Sequence, residues 1–314
     1  KVPPPVIVLA FANDAGNYLP RLAEEARRTE ACLLAAQKQG LCRVVRIDGA
    51  TVEKILDVFE NADHRNQIAV FHFAGHADHY RLLLEDAEGH RLPADAGGLA
   101  GFFGQQHGLK LVFLNGCATE PQAEEFMAHG VPVVIATSTA IDDGVAATFA
   151  ARFYYAVANG ATLKIAFDEA TQEQTIPAGR TARHLYAPAF RQPGAQPDRW
   201  PWVWKVRAGS ENALYWNLPD AAEDPLSCLP EPDLPDPPMS PYPPALNWYT
   251  PQYAALFFGR GRDIRNLYER IHPYRDGDRQ DQAGEGAAGE GRRPTLDSGQ
   301  ASAPVVLYYG QSGT

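Results

Sequence analysis

Cysteine is scarce in this chain. Four occur, Cys32, Cys42, Cys117 and Cys228, among 314 residues. No two stand at a C-x-x-C spacing, so the sequence carries neither a zinc-finger pattern nor a dithiol redox motif. A reduced, cytoplasmic protein with one or no special thiol is the simplest expectation. Long apolar runs are missing as well. No stretch nears the roughly 20 residues that cross a bilayer. Lys1 leads into a run of prolines rather than into the apolar centre of a signal peptide. Positive charge is in deficit: 28 Lys and Arg face 38 Asp and Glu, a formal net charge of -10. Such a surface repels phosphate backbones, so nucleic acid is not an expected partner, nor is a membrane.

What is present is an alternation of strand and helix signals. Residues 6–11, 43–47, 68–73, 109–114 and 132–137 are short apolar runs that read as buried strands. Between and after them, residues 18–39, 99–106, 142–158 and 163–173 have helical character. Thr51 can cap a further helix in which Val52, Ile55, Leu56 and Phe59 fall at i, i+3, i+4 and i+7. Residues 80–84 and 91–92, around Glu88-Gly89, read as a hairpin flap. Strands alternating with helices predict an α/β fold with a mainly parallel sheet covered on both faces. Residues 200–206 are expected to add an edge strand, and the first domain is expected to close at residue 218. Prolines then recur through 219–255, as in a semi-rigid spacer. Residues 256–271 read as an amphipathic helix within a last region, 256–314. There 276–303 is rich in Gly, Asp, Glu, Gln and Ser, and is expected to be disordered.

Two strand ends carry candidate chemistry. The run 68–73 continues into Ala74-Gly75-His76-Ala77, and the run 109–114 into Asn115-Gly116-Cys117-Ala118-Thr119. Each places a reactive side chain three positions past the last apolar residue, directly after a Gly. Loops at the carboxyl ends of neighbouring strands converge on one crevice. There a neutral imidazole can take a thiol proton, leaving the nucleophilic thiolate. The backbone N–H groups of Cys117 and Ala77 are candidates for an oxyanion hole. Bland readings stand beside these: Cys117 as a small buried hydrophobe and His76 as a satisfied turn residue. His72, His76 and His79 invite a metal site, but His72 falls inside a strand and no carboxylate pattern completes a ligand set, so no metal is expected. Asp142 and Asp143 either line a specificity pocket or cap the helix that follows.

The runs FHFAGH at 71–76 and LVFLNGCAT at 111–119 resemble the CHAT domains, caspase-like peptidases related to caspases and separases. The stretch 130–153, with its GVPVVIATS strand, Asp143 and FAARFY helix, is similar too, as is 160–170. The resemblance covers roughly residues 1–218. It implies a caspase–hemoglobinase-like three-layer fold and a cysteine endopeptidase acting on a protein substrate, needing no cofactor. Its His–Cys dyad maps onto His76 and Cys117. Relatives that cleave after basic residues often place an Asp two positions before the Cys; here that position is Asn115. With Asp142 and Asp143 both at a helix start, capping by the pair would favour an uncharged P1 residue. Either carboxylate turned into the pocket would instead accept a basic one.

The C-terminal part resembles something else. LFFGRGRDI at 256–264 is similar to the lead-in of STAND-type signalling NTPases. PVVLYYGQSGT at 304–314 is similar to the strand and first half of a P-loop, with Gly310 as first glycine followed by Gln311, Ser312, Gly313 and Thr314. This resemblance implies ATP and Mg only for a complete NTPase domain, whose Lys and Ser/Thr would lie beyond Thr314. It further implies self-assembly through that domain, and an effector role in bacterial immunity or programmed cell death.

Overall fold

Every residue of strand β1 (Val6–Ala12) is buried. Ile7, Leu9 and Phe11 join one apolar cluster, and Val6, Val8 and Ala10 another. A strand that is apolar on both faces must be covered on both, and the rest of the chain does this. The computed structural model describes residues 3–224 except 79, 178 and 193–198. Of two compact units, 1–231 and 232–314, only the first contains described residues. The spacer beyond residue 224, the 256–271 helix, the 276–303 stretch and residues 310–314 lie outside them.

In chain order the elements are β1, α1 (Leu22–Lys38), β2 (Arg43–Asp48), α2 (Val52–Glu60), β3 (Ile68–Gly75), β4 (Arg81–Glu85), β5 (Arg91–Asp95), α3 (Ala96–Gly104), β6 (Leu111–Asn115), α4 (Glu120–Ala128), β7 (Val133–Thr137), α5 (Asp143–Ala158), α6 (Leu163–Thr175), β8 (Trp202–Val206) and α7 (Leu218–Glu223). The central sheet runs β2-β1-β3-β6-β7-β8. Its first five strands are parallel, and β8 closes one edge antiparallel to β7. The fold is therefore mixed α/β around a mainly parallel six-stranded sheet. Strands β4 and β5 form a separate antiparallel hairpin.

Helices α1, α5 and α6 cover one face of the sheet; α2, α3, α4 and the hairpin cover the other. Aromatic rings fill both interfaces. Phe113, on the α5 side, meets Phe153 edge-on at a centroid distance of 5.4 Å. Phe103 on α3 stacks on Phe59 of α2 at 4.8 Å. Burying each such ring contributes about 1.5–3 kcal/mol. Thr51 caps α2 as expected, its hydroxyl accepting from Lys54 N–H at 3.1 Å. Helix α7 begins where the sequence reading closes the domain, and it tucks Leu218 and Ala221 into the core. Among the described residues no helix is long and apolar enough to cross a membrane.

Candidate active site

Register decides which loops meet. Strands β3 and β6 are neighbours and pair in parallel up to Ala74 and Asn115. One residue later both chains are glycine, and both glycines are forced. A Cβ on Gly75 would stand 2.6 Å from the Ala12 carbonyl oxygen, and one on Gly116 would stand 2.9 Å from the Gly75 carbonyl oxygen. Only Gly lets the two chains leave the sheet this close together. His76 and Cys117 follow them, and both line one open cleft at the carboxyl edge. Leu19, Leu22 and Glu25 line it from the α1 side; Ile141, Asp143 and Ala146 line it from the start of α5. Asn115 lies at its base, buried beneath Gly116 and Cys117.

The His76 ring is held by main chain. Its Nε2 lies 2.5 Å from the carbonyl oxygen of Asn17. A carbonyl only accepts, so Nε2 carries the proton and Nδ1 keeps its lone pair. The loop that supplies this carbonyl is itself braced: Asn13 Nδ2 donates to the Leu19 carbonyl at 3.1 Å, and Leu19 N–H donates to Asn13 Oδ1 at 2.8 Å.

The turn carrying Cys117 is pinned from β7. Thr137 Oγ1 donates to the Gly116 carbonyl, and Thr119 Oγ1 donates to the Leu114 carbonyl at 3.1 Å. Thr137 N–H in turn donates to Thr119 Oγ1 at 2.9 Å. Ala118, next to the thiol, takes φ 54°. This left-handed conformation is uncommon for a side chain with a Cβ. Its N–H donates to the Thr139 carbonyl at 3.2 Å, which holds the strained residue in place. Burial pushes the Cys117 thiol above its ordinary range; a hydrogen bond from the Ile141 N–H pulls it partway back, and the Asp143 carboxylate pushes it up again. At rest the sulfur is therefore protonated. Cys42 is buried and pushed up to about 12, and Cys32 is raised by burial too. Neither lines the cleft.

Ala77 faces Leu82 of the flap in an antiparallel bridge. The bonds around that bridge run from Leu83 N–H to the His76 carbonyl and from Asp78 N–H to the Arg81 carbonyl, each 3.0 Å. Ala77 is thus the non-bonded member of the ladder, and the hairpin does not use its N–H.

The two aspartates part company. Asp142 Oδ1 caps α5, accepting from Gly144 and Val145 N–H at 3.0 and 3.2 Å. Its Oδ2 pairs with Arg191 at 2.9 Å, and it is not part of the cleft lining. Asp143, the first residue of α5, does line the cleft. Burial and repulsion from Asp142 raise its carboxyl above the ordinary range; His76 pulls it down and Glu25 pushes it up. Asn115 is fully committed. Its Nδ2 donates to Glu25 Oε1 at 2.7 Å and to the Ala146 carbonyl at 3.2 Å, and its Oδ1 accepts from Trp202 Nε1 at 3.2 Å.

Glu25 escapes the sequence reading. It sits on the buried stripe of α1 with Leu22, Ala26, Thr29 and Leu33, and is only 3% exposed. The available signal was a charge on the apolar face of an amphipathic helix. Its Oε1 also lies 3.2 Å from Nε2 of His72, which is fully buried inside β3. Among the described residues no group of three or more His, Cys, Asp or Glu is placed to hold a metal ion. His79 lies outside them.

A mainly parallel α/β sheet thus presents a histidine and a cysteine at adjacent strand ends. Residues 3–213 match the CHAT domain family, and the chain belongs to it. No curated protein matches the chain. Among solved structures, the crystal structure of the Drosophila initiator caspase Dronc is similar at 8% identity, covering 64% of this chain and 78% of that one with a TM-score of 0.39. A likeness that loose transfers nothing from one chain to the other.

Proposed function

We propose that this CHAT domain is a cysteine endopeptidase in which Cys117 is the nucleophile and His76 its general base. The observation that carries the reading is the meeting of both side chains in one cleft, with the Asn17 carbonyl holding His76 in the tautomer that leaves Nδ1 free to accept a proton. Because the resting sulfur is a thiol, the proton leaves as the substrate arrives. Nδ1 of His76 takes it, and Sγ attacks the scissile carbonyl carbon. The N–H groups of Cys117 and Ala77 are the candidate donors to the resulting oxyanion. Protonated His76 then gives its proton to the leaving amine, and the acyl group stays on Sγ. A water, deprotonated by the same imidazole, attacks the thioester. Collapse releases the new carboxyl end and returns the thiol.

The motifs at 256–264 and 304–314 support a second part of the proposal. The peptidase would be the effector of a bacterial-type immune or cell-death protein, controlled by a STAND-type nucleotide switch that self-assembles with ATP and Mg. A cytoplasmic location fits that role.

A raised thiol is also what a non-catalytic docking module would show. A peptidyl acyloxymethyl ketone separates the two readings. Expected is stoichiometric covalent modification of Cys117, lost in Cys117→Ala and slowed at least about a hundredfold in His76→Ala. Both variants should keep the parent circular dichroism. Equal labelling of all exposed thiols, or none at Cys117, would leave only the module.

A further inference from the structure

We infer that the cleft beside Cys117 is a binding pocket for a basic P1 side chain, with Glu25 as its charged floor and Asp143 at its rim. The inference deepens the peptidase reading and rests on it for the word P1. The pocket's acidity comes from a different place than the sequence suggests. Position 115, two residues before the thiol, is neutral, and its amide is spent on holding Glu25. The carboxylate is delivered from α1 instead. Glu25 and Cys117 line the same cleft, so a side chain entering beside the sulfur meets the carboxylate.

Glu25 is set to receive a cation from the cleft. Oε1 is occupied by Asn115 Nδ2 and His72 Nε2. His72 Nδ1 is buried without a hydrogen-bond partner among aromatic rings, so the polar contact of this ring is the one that Nε2 makes with Glu25. The hydrogen bonds found for Glu25 among the described residues use Oε1, which leaves Oε2, and Glu25 lines the cleft. Nearby cations are engaged elsewhere. Arg21 pairs with Glu24 at 2.6 Å, Arg28 donates to Thr148 at 3.4 Å, and Arg191 pairs with Asp142. Among the described residues no Lys or Arg lines the cleft. Two carboxylates, Glu25 and Asp143, therefore share the cleft with His76, and His72 touches Glu25 from behind. The Asp143 carboxyl is raised chiefly by burial and by Asp142, and Glu25 adds the smallest push.

Such a site is poorly suited to an acidic or purely apolar guest. An acid adds a third like charge, and an apolar chain covers Glu25 without replacing its solvation. Arg or Lys meets both needs. Leu19, Leu22, Ile141 and Ala146 offer apolar wall to the methylene stem, and Glu25 with Asp143 offers acceptors to the head group.

Two measurements on the full chain test this. The first is calorimetric titration of the Cys117→Ala protein with benzamidine, a cation that needs no turnover. The second is the labelling rate of wild-type Cys117 by ketone probes differing only at P1: Arg, Lys, Leu or Asp. Saturable benzamidine binding is expected, weakened about tenfold or more in Glu25→Gln and less in Asp143→Asn. Arg and Lys probes should label at least about tenfold faster than Leu or Asp. Should Glu25→Gln not fold, Asp143→Asn decides the first measurement, and unchanged benzamidine affinity there would overturn the pocket. Leu or Asp labelling as fast as Arg would overturn the basic pocket and leave the peptidase standing. Benzamidine binding with no ketone reacting at Cys117 would uphold the pocket and remove the peptidase. Neither binding nor labelling would remove both.

Discussion

A histidine and a cysteine do not make a reactive pair by adjacency alone. The state of each proton matters, and here it is readable. The Asn17 carbonyl leaves Nδ1 of His76 as the acceptor, and burial keeps the proton on Cys117. This has a pH consequence with a definite sign. An ordinary thiol titrates near 8.5. A raised one remains protonated to higher pH, so its uncatalysed alkylation keeps climbing after a free thiol has levelled off. Iodoacetamide modification of Cys117, followed by peptide mass spectrometry, should therefore still be rising beyond about pH 9. A plateau below pH 8 would mean a preformed thiolate. Cys42, pushed up to about 12, should remain unmodified in the native protein throughout.

Among the elements, α5 shows how one helix start divides labour. Asp142 spends itself on the helix and on Arg191, and this frees Asp143 for the cleft. Asp142→Ala should cost about 1–2 kcal/mol in urea unfolding, the usual loss for a helix cap. An unchanged midpoint would show that the cap bonds contribute nothing. The sequence reading could not divide these roles, because either aspartate suits the position after a loop. It did locate β3, β6 and β7 within one or two residues, since apolar runs bounded by glycine have few other interpretations. Helix α4 was passed over. Its EPQAEEFMA has few apolar residues for a period to show in, and Ala123 and Phe126 bury only because α3 and β7 lie against them. The Asn17 carbonyl could not have been foreseen at all, since a main-chain acceptor leaves no trace in residue type.

Over the whole molecule, the cleft is assembled from remote segments. Asn17 and Glu25 come from the start of the chain, His76 and Cys117 from its middle, and Trp202 from its late edge strand. Trp202 stacks on Phe149 at a centroid distance of 4.0 Å and donates to Asn115, which holds Glu25. Trp202→Phe keeps a ring in the stack but leaves Asn115 Oδ1 short of a donor, at a cost of about 1–3 kcal/mol. Under the pocket proposal it should also weaken benzamidine binding, although Trp202 does not line the cleft; undiminished binding would sever the proposed chain from Trp202 to Glu25. The same long reach sets a schedule during synthesis. A ribosome adds roughly 5–20 residues per second, so on the order of ten seconds or more separates the emergence of Glu25 from that of Trp202. Through that interval a nascent chain already carries His76 and then Cys117, yet Asn115, which holds Glu25, lacks its Trp202 donor. Under the peptidase and pocket proposals, a newborn copy would gain its P1 pocket, and with it the means to cut its neighbours on the same message, only once its last strand is in place.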